Sequence, residues 1–150
     1  MILSYESFIK APVTDVFAFY NDLNNLQRIT PPSYQMNILE IQGNMRAGTR
    51  IELEIRKFMH SYHWYVHIIE HIPNRSFTDV QEKGPFAFYQ HRHEFKPQEE
   101  GTLLRDEINL HLPHYPLTWP IEQWIVKPQL DALFRYRHEK TKRLLQKQVD

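Results

Sequence analysis

The sequence predicts an α+β fold: a sheet of about seven antiparallel strands, two short helices after the first strand, and a long helix closing the chain. Three observations lead there. Strand-like segments from residue 35 to 111 follow one another through turn signals, with no helical stretch between them. Helical periodicity is confined to residues 13–29 and to the stretch after 121. The chain has 150 residues, enough for one substantial core and too few for two, so a single domain over 1–150 is expected.

The elements follow in order. ILSYESFI is rich in strand formers and ends before Lys10-Ala11-Pro12, where Pro12 suits the first turn of a helix. In APVTDVFAFYND, Val13, Val16, Phe17 and Tyr20 keep to one helical face. LNNLQRI is a second short helical piece, stopped by Thr30-Pro31-Pro32 because proline pushes the preceding residue out of helical conformation. TRIELEIRKF is the clearest strand, with Ile51, Leu53 and Ile55 on one side and Arg50, Glu52, Glu54 and Arg56 on the other. QMNILEI before it and SYHWYVHIIEHI after it are also strand-like. Turns are expected at Gly43-Asn44, Ala47-Gly48, Pro73-Asn74 and Gly84-Pro85.

HRHEFKP and TLLRDEINLHL flank Gln98-Glu99-Glu100-Gly101, which reads as a four-residue hairpin loop. With Pro97 opposite Thr102, the pairs Phe95–Leu104, His93–Asp106, His91–Ile108 and Tyr89–Leu110 share one face. The other face then opposes Glu94 with Arg105 and Arg92 with Glu107, so opposite charges meet twice on the solvent side. A shift of one residue scrambles both patterns. His91, His93 and Asp106 therefore point to the apolar face, where a buried polar group left alone costs about 1–3 kcal/mol. Asp106 is the expected partner of His93.

From about Ile121 onward, Trp124, Ile125, Leu130, Leu133, Phe134, Leu144 and Leu145 recur at helical intervals, and Pro128 should kink or divide the helix. Leu130, Phe134, Arg137 and Thr141 fall along one stripe. Arg137 there either reaches a carboxylate inside the domain or extends to its edge.

Lys plus Arg and Asp plus Glu are both 18, a balance that argues against nucleic acid as a partner. No cysteine is present, which excludes disulfides and thiolate chemistry. MILSYESFIK does not resemble a signal peptide, and no apolar run approaches the roughly 20 residues that span a bilayer, so a cytoplasmic protein without an integral membrane segment is expected.

Three stretches resemble a known family: APVTDVFAFYNDLNNLQRITPP, FTDVQEKGPFAFYQHRHEF and LFRYRHEKTKRLL. The early Pro-x-x-x-Val-Phe segment is similar to the START-like ligand-binding superfamily, also called SRPBCC, and its polyketide cyclase/dehydrase branch. The Thr-Pro-Pro, the Gly-Pro-Phe with spaced histidines, and the Phe-x-Tyr-Arg resemble one small bacterial subgroup. The resemblance covers nearly the whole chain and implies a helix-grip fold, a curved sheet wrapped round the last helix with an elongated cavity between them. Across the superfamily that cavity takes lipids, sterols, polyketides and other apolar molecules. It implies that Tyr89, His91, His93 and Asp106 face the cavity. Asp79 and Gln81 are candidates from the preceding strand, whose register the Lys83-Gly84-Pro85 turn leaves open in two ways. Phe95, Ile108, Leu110, Trp64, Phe134 and Arg137 complete the candidate lining.

Three readings of the histidines stand side by side. His-x-His spacing is a real metal-ligand arrangement and Asp106 could supply oxygen, but nothing marks a further ligand, so neither metal nor cofactor is assigned. His93 with Asp106 as its orienting carboxylate could carry acid–base chemistry of the cyclase, aromatase or dehydratase type. The same residues could also form a satisfied polar cluster that orients one end of a bound ligand. The first functional expectation is a carrier or sensor of a small hydrophobic molecule, and the second is an enzyme using His93 and Asp106. The third is an interaction module whose partner meets LPHYPLTWP, Pro113 to Pro120, as a lid or docking loop. His60, His63, His67, His71, His111, His114 and His138 are assigned to surfaces and edges, with His63, His67 and His71 on an outer strand face.

Overall fold

The computed structural model describes residues 1–146. Among them seven strands form one antiparallel sheet: β1 (Ile2–Ile9), β2 (Tyr34–Gln42), β3 (Arg50–Lys57), β4 (His60–Ile72), β5 (Ser76–Lys83), β6 (Phe88–Gln98) and β7 (Gly101–His111). The order across the sheet is β1-β7-β6-β5-β4-β3-β2, so β2 to β7 run as a meander and β1 closes onto β7. Helices α1 (Val13–Asn21) and α2 (Leu23–Arg28) carry the chain from one edge strand to the other. At the end come a single turn α3 (Trp119–Ile121), a π-helical turn over Glu122–Val126 and the long α4 (Lys127–Gln146). The helix-grip arrangement is present.

Alternation in the sequence becomes alternation in burial. In β3, Ile51, Leu53 and Ile55 are buried while Glu52 and Glu54 are not. In β7, Thr102, Leu104, Asp106, Ile108 and Leu110 all face inward. The β6–β7 register pairs Phe95 with Leu104, His93 with Asp106, His91 with Ile108 and Tyr89 with Leu110, as the sequence predicts. Two details differ. Gln98 pairs with Gly101, so the loop is the two residues Glu99 and Glu100, with Glu100 at a positive φ of 66°. The outer charges stand opposite one another, yet their close ion pairs run along the strands: Arg92 meets Glu94 at 2.9 Å and Arg105 meets Glu107 at 3.2 Å. A neighbour two residues along the same face lies within reach of a long guanidinium arm.

Gly101 is required by close approach, because a Cβ there would stand 2.3 Å from the Ile9 carbonyl oxygen where β1 ends. In β4 the parity of facing changes. The register with β5 shifts between Ile68 and Glu70, a bulge that exposes Ile69 and turns His71 inward. His71 bonds Asn21 Oδ1 at 2.9 Å and packs edge-on against Phe17, which corrects its expected outer position. His63 and His67 do face outward, 2.9 Å from Glu52 and 3.0 Å from Glu82 respectively.

The core has three regions, one of them formed by Ile51 and Leu53 of β3 with Val66 and Ile68 of β4. Below α1, Ile9, Val16, Phe17, Phe77, Phe95 and Leu104 pack together with Leu145. Below α4, Tyr89, Ile108, Leu110 and Phe134 do so. Burial of each such side chain contributes about 1.5–3 kcal/mol. Pro128 divides the last helix as expected. The missing N–H at 128 coincides with a widened turn, in which Lys127 N–H bonds the Glu122 carbonyl five residues back. Phe134, His138, Thr141 and Leu145 are the buried stripe of α4, so the inward face is rotated toward His138 from the one predicted through Arg137.

Candidate functional site

Between the sheet and α2 and α4 lies a cavity of about 500 Å³. Its body is apolar: Leu53 and Ile55 from β3, Trp64 and Val66 from β4, Leu26 from α2, and Leu130 and Phe134 from α4. It reaches the surface beside Phe58, an 89% exposed lining residue in the β3–β4 turn, and Ile125 in the π-helical turn. Lys57 spans this mouth, with Nζ donating to Tyr34 Oη at 2.9 Å and to Gln129 Oε1 at 3.1 Å.

The buried end is polar. Asp106 is 1% exposed and occupies an inward position of β7 between Leu104 and Ile108. Its Oδ1 accepts from His91 Nε2 at 2.8 Å, and its Oδ2 accepts from His138 Nε2 at 2.5 Å. His93 Nδ1 stands 2.9 Å from Oδ1 but off the line of a hydrogen bond, so that contact is ionic. The other His93 nitrogen, Nε2, lies 3.4 Å from Asp79 Oδ2. Ser7 Oγ in β1 meets His138 Nδ1 at 2.9 Å and fixes that ring from behind. The His91 and His93 rings are 3.8 Å apart, and His93 stacks on Phe77 at 4.1 Å. Beside them Tyr20 Oη bonds Thr141 Oγ1 at 2.9 Å.

This arrangement separates the two neighbouring imidazoles in acidity. For His93, burial opposes the charge, but Asp106 and Asp79 together outweigh it and push its pKa up to about 9. For His91, burial and then the neighbouring His93 charge hold the pKa below the ordinary imidazole value. Burial alone raises a carboxyl group, yet hydrogen bonds from His138 and His91, with His93 alongside, hold Asp106 well below the usual range. At neutral pH the site thus contains a carboxylate, a charged His93 and a neutral His91. Burial raises the Tyr20 and Tyr89 hydroxyls, so both stay protonated.

Of the residues singled out from sequence, Tyr89, His91, His93, Asp79, Asp106, Trp64, Phe134 and Arg137 line the cavity. Phe95 lies instead in the core below α1, and Ile108 and Leu110 in the core below α4, each covered by helix. Gln81 bonds the backbone of Phe86 in both directions, Nε2 to the carbonyl at 2.7 Å and Oε1 from the N–H at 3.3 Å, so it holds the β5–β6 loop. Pro113 to Thr118 forms turns leading into α3, and no residue from Pro113 to Pro120 lines the cavity. His138, expected at a surface or edge, is 5% exposed and one of two direct hydrogen-bond donors to Asp106. Its spacing from Phe134 and Thr141 is the signal that places it inward. Asp79, His91 and His93 also bring ligand-type atoms within 4.8 Å of one another, a set that could hold a divalent cation. In the present arrangement both His93 nitrogens face carboxylates and His91 Nε2 is committed to Asp106, so a cation would have to displace the His93 proton.

Comparison with known proteins agrees with the fold. Residues 9–134 match the family described as polyketide cyclase / dehydrase and lipid transport. Among curated protein sequences none matches this chain. Protein Ms6760 from Mycobacterium smegmatis superposes with a TM-score of 0.73 at 18% identity, over 98% of this chain and 92% of that one. A point mutant of norcoclaurine synthase from Thalictrum flavum, in complex with a transition-state analogue, gives 0.74 at 13% identity, over 100% and 96%. The di-domain ARO/CYC protein BexL from the BE-7585A biosynthetic pathway gives 0.77 at 15% identity, over 97% of this chain and 50% of that one. At these identities the likeness is one of fold.

Proposed function

The chain belongs to the polyketide cyclase/dehydrase and lipid transport family, and from that premise we propose that it binds a small hydrophobic molecule with one polar end, as a carrier or sensor. The observation that carries this reading is the contrast within the cavity. About 500 Å³ of mostly apolar space ends on Asp79, His91, His93 and Asp106, which are buried or nearly so. An apolar body desolvates against the walls, and a few fixed polar groups set its orientation. Native mass spectrometry of the freshly purified protein is the direct test. Retention of a small organic molecule supports the reading, and a clean mass together with no uptake of added hydrophobic probes sinks it.

A second reading is favoured by one observation, the opposite displacement of the two histidine pKa values. Pairs of groups driven apart in this way divide acid and base roles. In a dehydration, His93 would donate its proton to the departing hydroxyl, which leaves as water, while a neutral imidazole takes the proton from the adjacent carbon. Proteins of the same fold that carry enzyme names, norcoclaurine synthase and the ARO/CYC protein BexL, support this reading. His93→Gln separates the two readings. Turnover lost with binding retained favours catalysis, whereas weakened binding with no turnover in either protein favours the carrier.

A further inference from the structure

Besides the charged His93, this end of the cavity carries a second cationic side chain, Arg137, one turn of α4 beyond Phe134. It lines the cavity, and its guanidinium carbon sits 5.3 Å from the centre of the Phe134 ring. Its Nε is buried with no hydrogen-bond partner, and among the described residues no carboxylate lies within ion-pair distance of it. The sequence leaves Arg137 two fates, pairing with an internal carboxylate or extending to the domain edge; the structure shows no such pair, and the half-buried side chain lies along the cavity wall. The carboxyl groups nearby are already engaged. Asp106 is held by His91 and His138, Asp79 faces His93, and Asp131 accepts from Tyr5 and Lys127. The half-buried guanidinium therefore keeps N–H donors free for a partner from outside the protein.

We propose that Arg137 is the receptor for a carboxylate, so that the ligand of this cavity is an apolar monocarboxylic acid. This rests on the reading of the cavity as a hydrophobic binding site and names the polar end of its occupant. The planar guanidinium fork matches a carboxylate edge in two parallel N–H···O bonds. Stacking on Phe134 restricts the plane of that fork and preorganises it. Charge limits the choice further. The charges of Asp79 and Asp106 are balanced by those of His93 and Arg137, so a doubly charged phosphate head would leave more uncompensated negative charge here than a single carboxylate. The acid's apolar body then lies along the β3 and β4 walls, and its head displaces no existing hydrogen bond of the cluster.

Calorimetric titration with decanoate, 1-decanol and decylamine tests this on the full chain. Decanoate is expected to bind wild type at least about tenfold more tightly than either uncharged or cationic analogue of the same length. Arg137→Gln is expected to remove that preference, weakening decanoate by about tenfold or more while decanol changes by less than about twofold. Arg137→Lys keeps the charge but not the fork, and an intermediate preference is expected from it. That variant and the wild-type preference decide the matter if Arg137→Gln does not fold. Equal binding of decanoate and decanol by wild type overturns the carboxylate assignment and leaves the hydrophobic cavity standing. A decanoate preference that survives in Arg137→Gln overturns the role of Arg137. If none of the three probes binds wild type, the cavity reading itself fails and the proposal falls with it.

Discussion

The two ends of the cavity are built on opposite plans. At the buried end, Asp106 holds His91 and His138 by direct hydrogen bonds, and Ser7 and Asp79 secure the rings from the far side. At the mouth, Phe58 and Met59 are 89% and 97% exposed, and Lys57 ties β3 to β2 through a single bond to Tyr34 and to α4 through a single bond to Gln129. The buried end has one low-energy arrangement because each displaced group would strand a buried charge or donor. The mouth can rearrange at little cost because its contacts are exposed to water. If the cavity binds a ligand as proposed, selectivity falls to the buried end and access to the mouth.

The largest effect should come from removing the centre of the buried end. Asp106→Ala strands the His93 charge and two imidazole donors, and should lower unfolding stability by about 3–5 kcal/mol in urea titration. A loss below about 1 kcal/mol would mean that water already solvates the cluster.

The next effect is a pH dependence whose sign follows from the two histidines. His93 has a folded pKa of about 9, above the unfolded value of about 6.5, so its contribution is full below 6.5 and is lost as pH rises through 9. The size is at most about 3 kcal/mol. His91 has a lowered pKa, so below about 6.5 the unfolded chain takes up the proton first and stability falls toward acid. Wild type should thus lose stability between about pH 7 and 9.5, and His93→Gln should flatten that limb. An alkaline limb equally steep in both proteins would assign the effect to another group.

The smallest effect on stability belongs to the mouth. Lys57→Met should change unfolding free energy by less than about 1 kcal/mol. It should nevertheless speed uptake of a hydrophobic dye in stopped-flow fluorescence, because it removes the tie between β3 and Gln129. An unchanged uptake rate would place the entrance elsewhere and dissolve the contrast between the two ends.

What could be read from the sequence follows the reach of its local rules. The β6–β7 register was legible because a tight hairpin makes directly opposed residues share a face, and one frame reconciled both the charges and the apolar residues. The inward Asp106 followed from that frame. His138 was not legible by the same means, because α4 touches the hairpin only in three dimensions and a lone histidine on a charged helix looks solvated. His71 was misplaced because strict alternation does not foresee a bulge at Ile69. Gln81 was placed in the lining because nothing in the sequence shows that its amide spans the following turn to Phe86.

The two-residue loop at Glu99-Glu100 also bears on the order of assembly. His91, His93 and Asp106 lie within one hairpin, so they meet as soon as its strands close, an event of about 1–10 μs in isolated hairpins. His138 is 32 residues further along than Asp106 and arrives only when α4 docks. Until then Oδ2 of Asp106 lacks its native donor, and docking in the right rotation supplies it. The last helix is thus proofread on arrival: a helix seated one turn out of phase would bury the carboxylate without that bond, and the error would be expelled by its own energy.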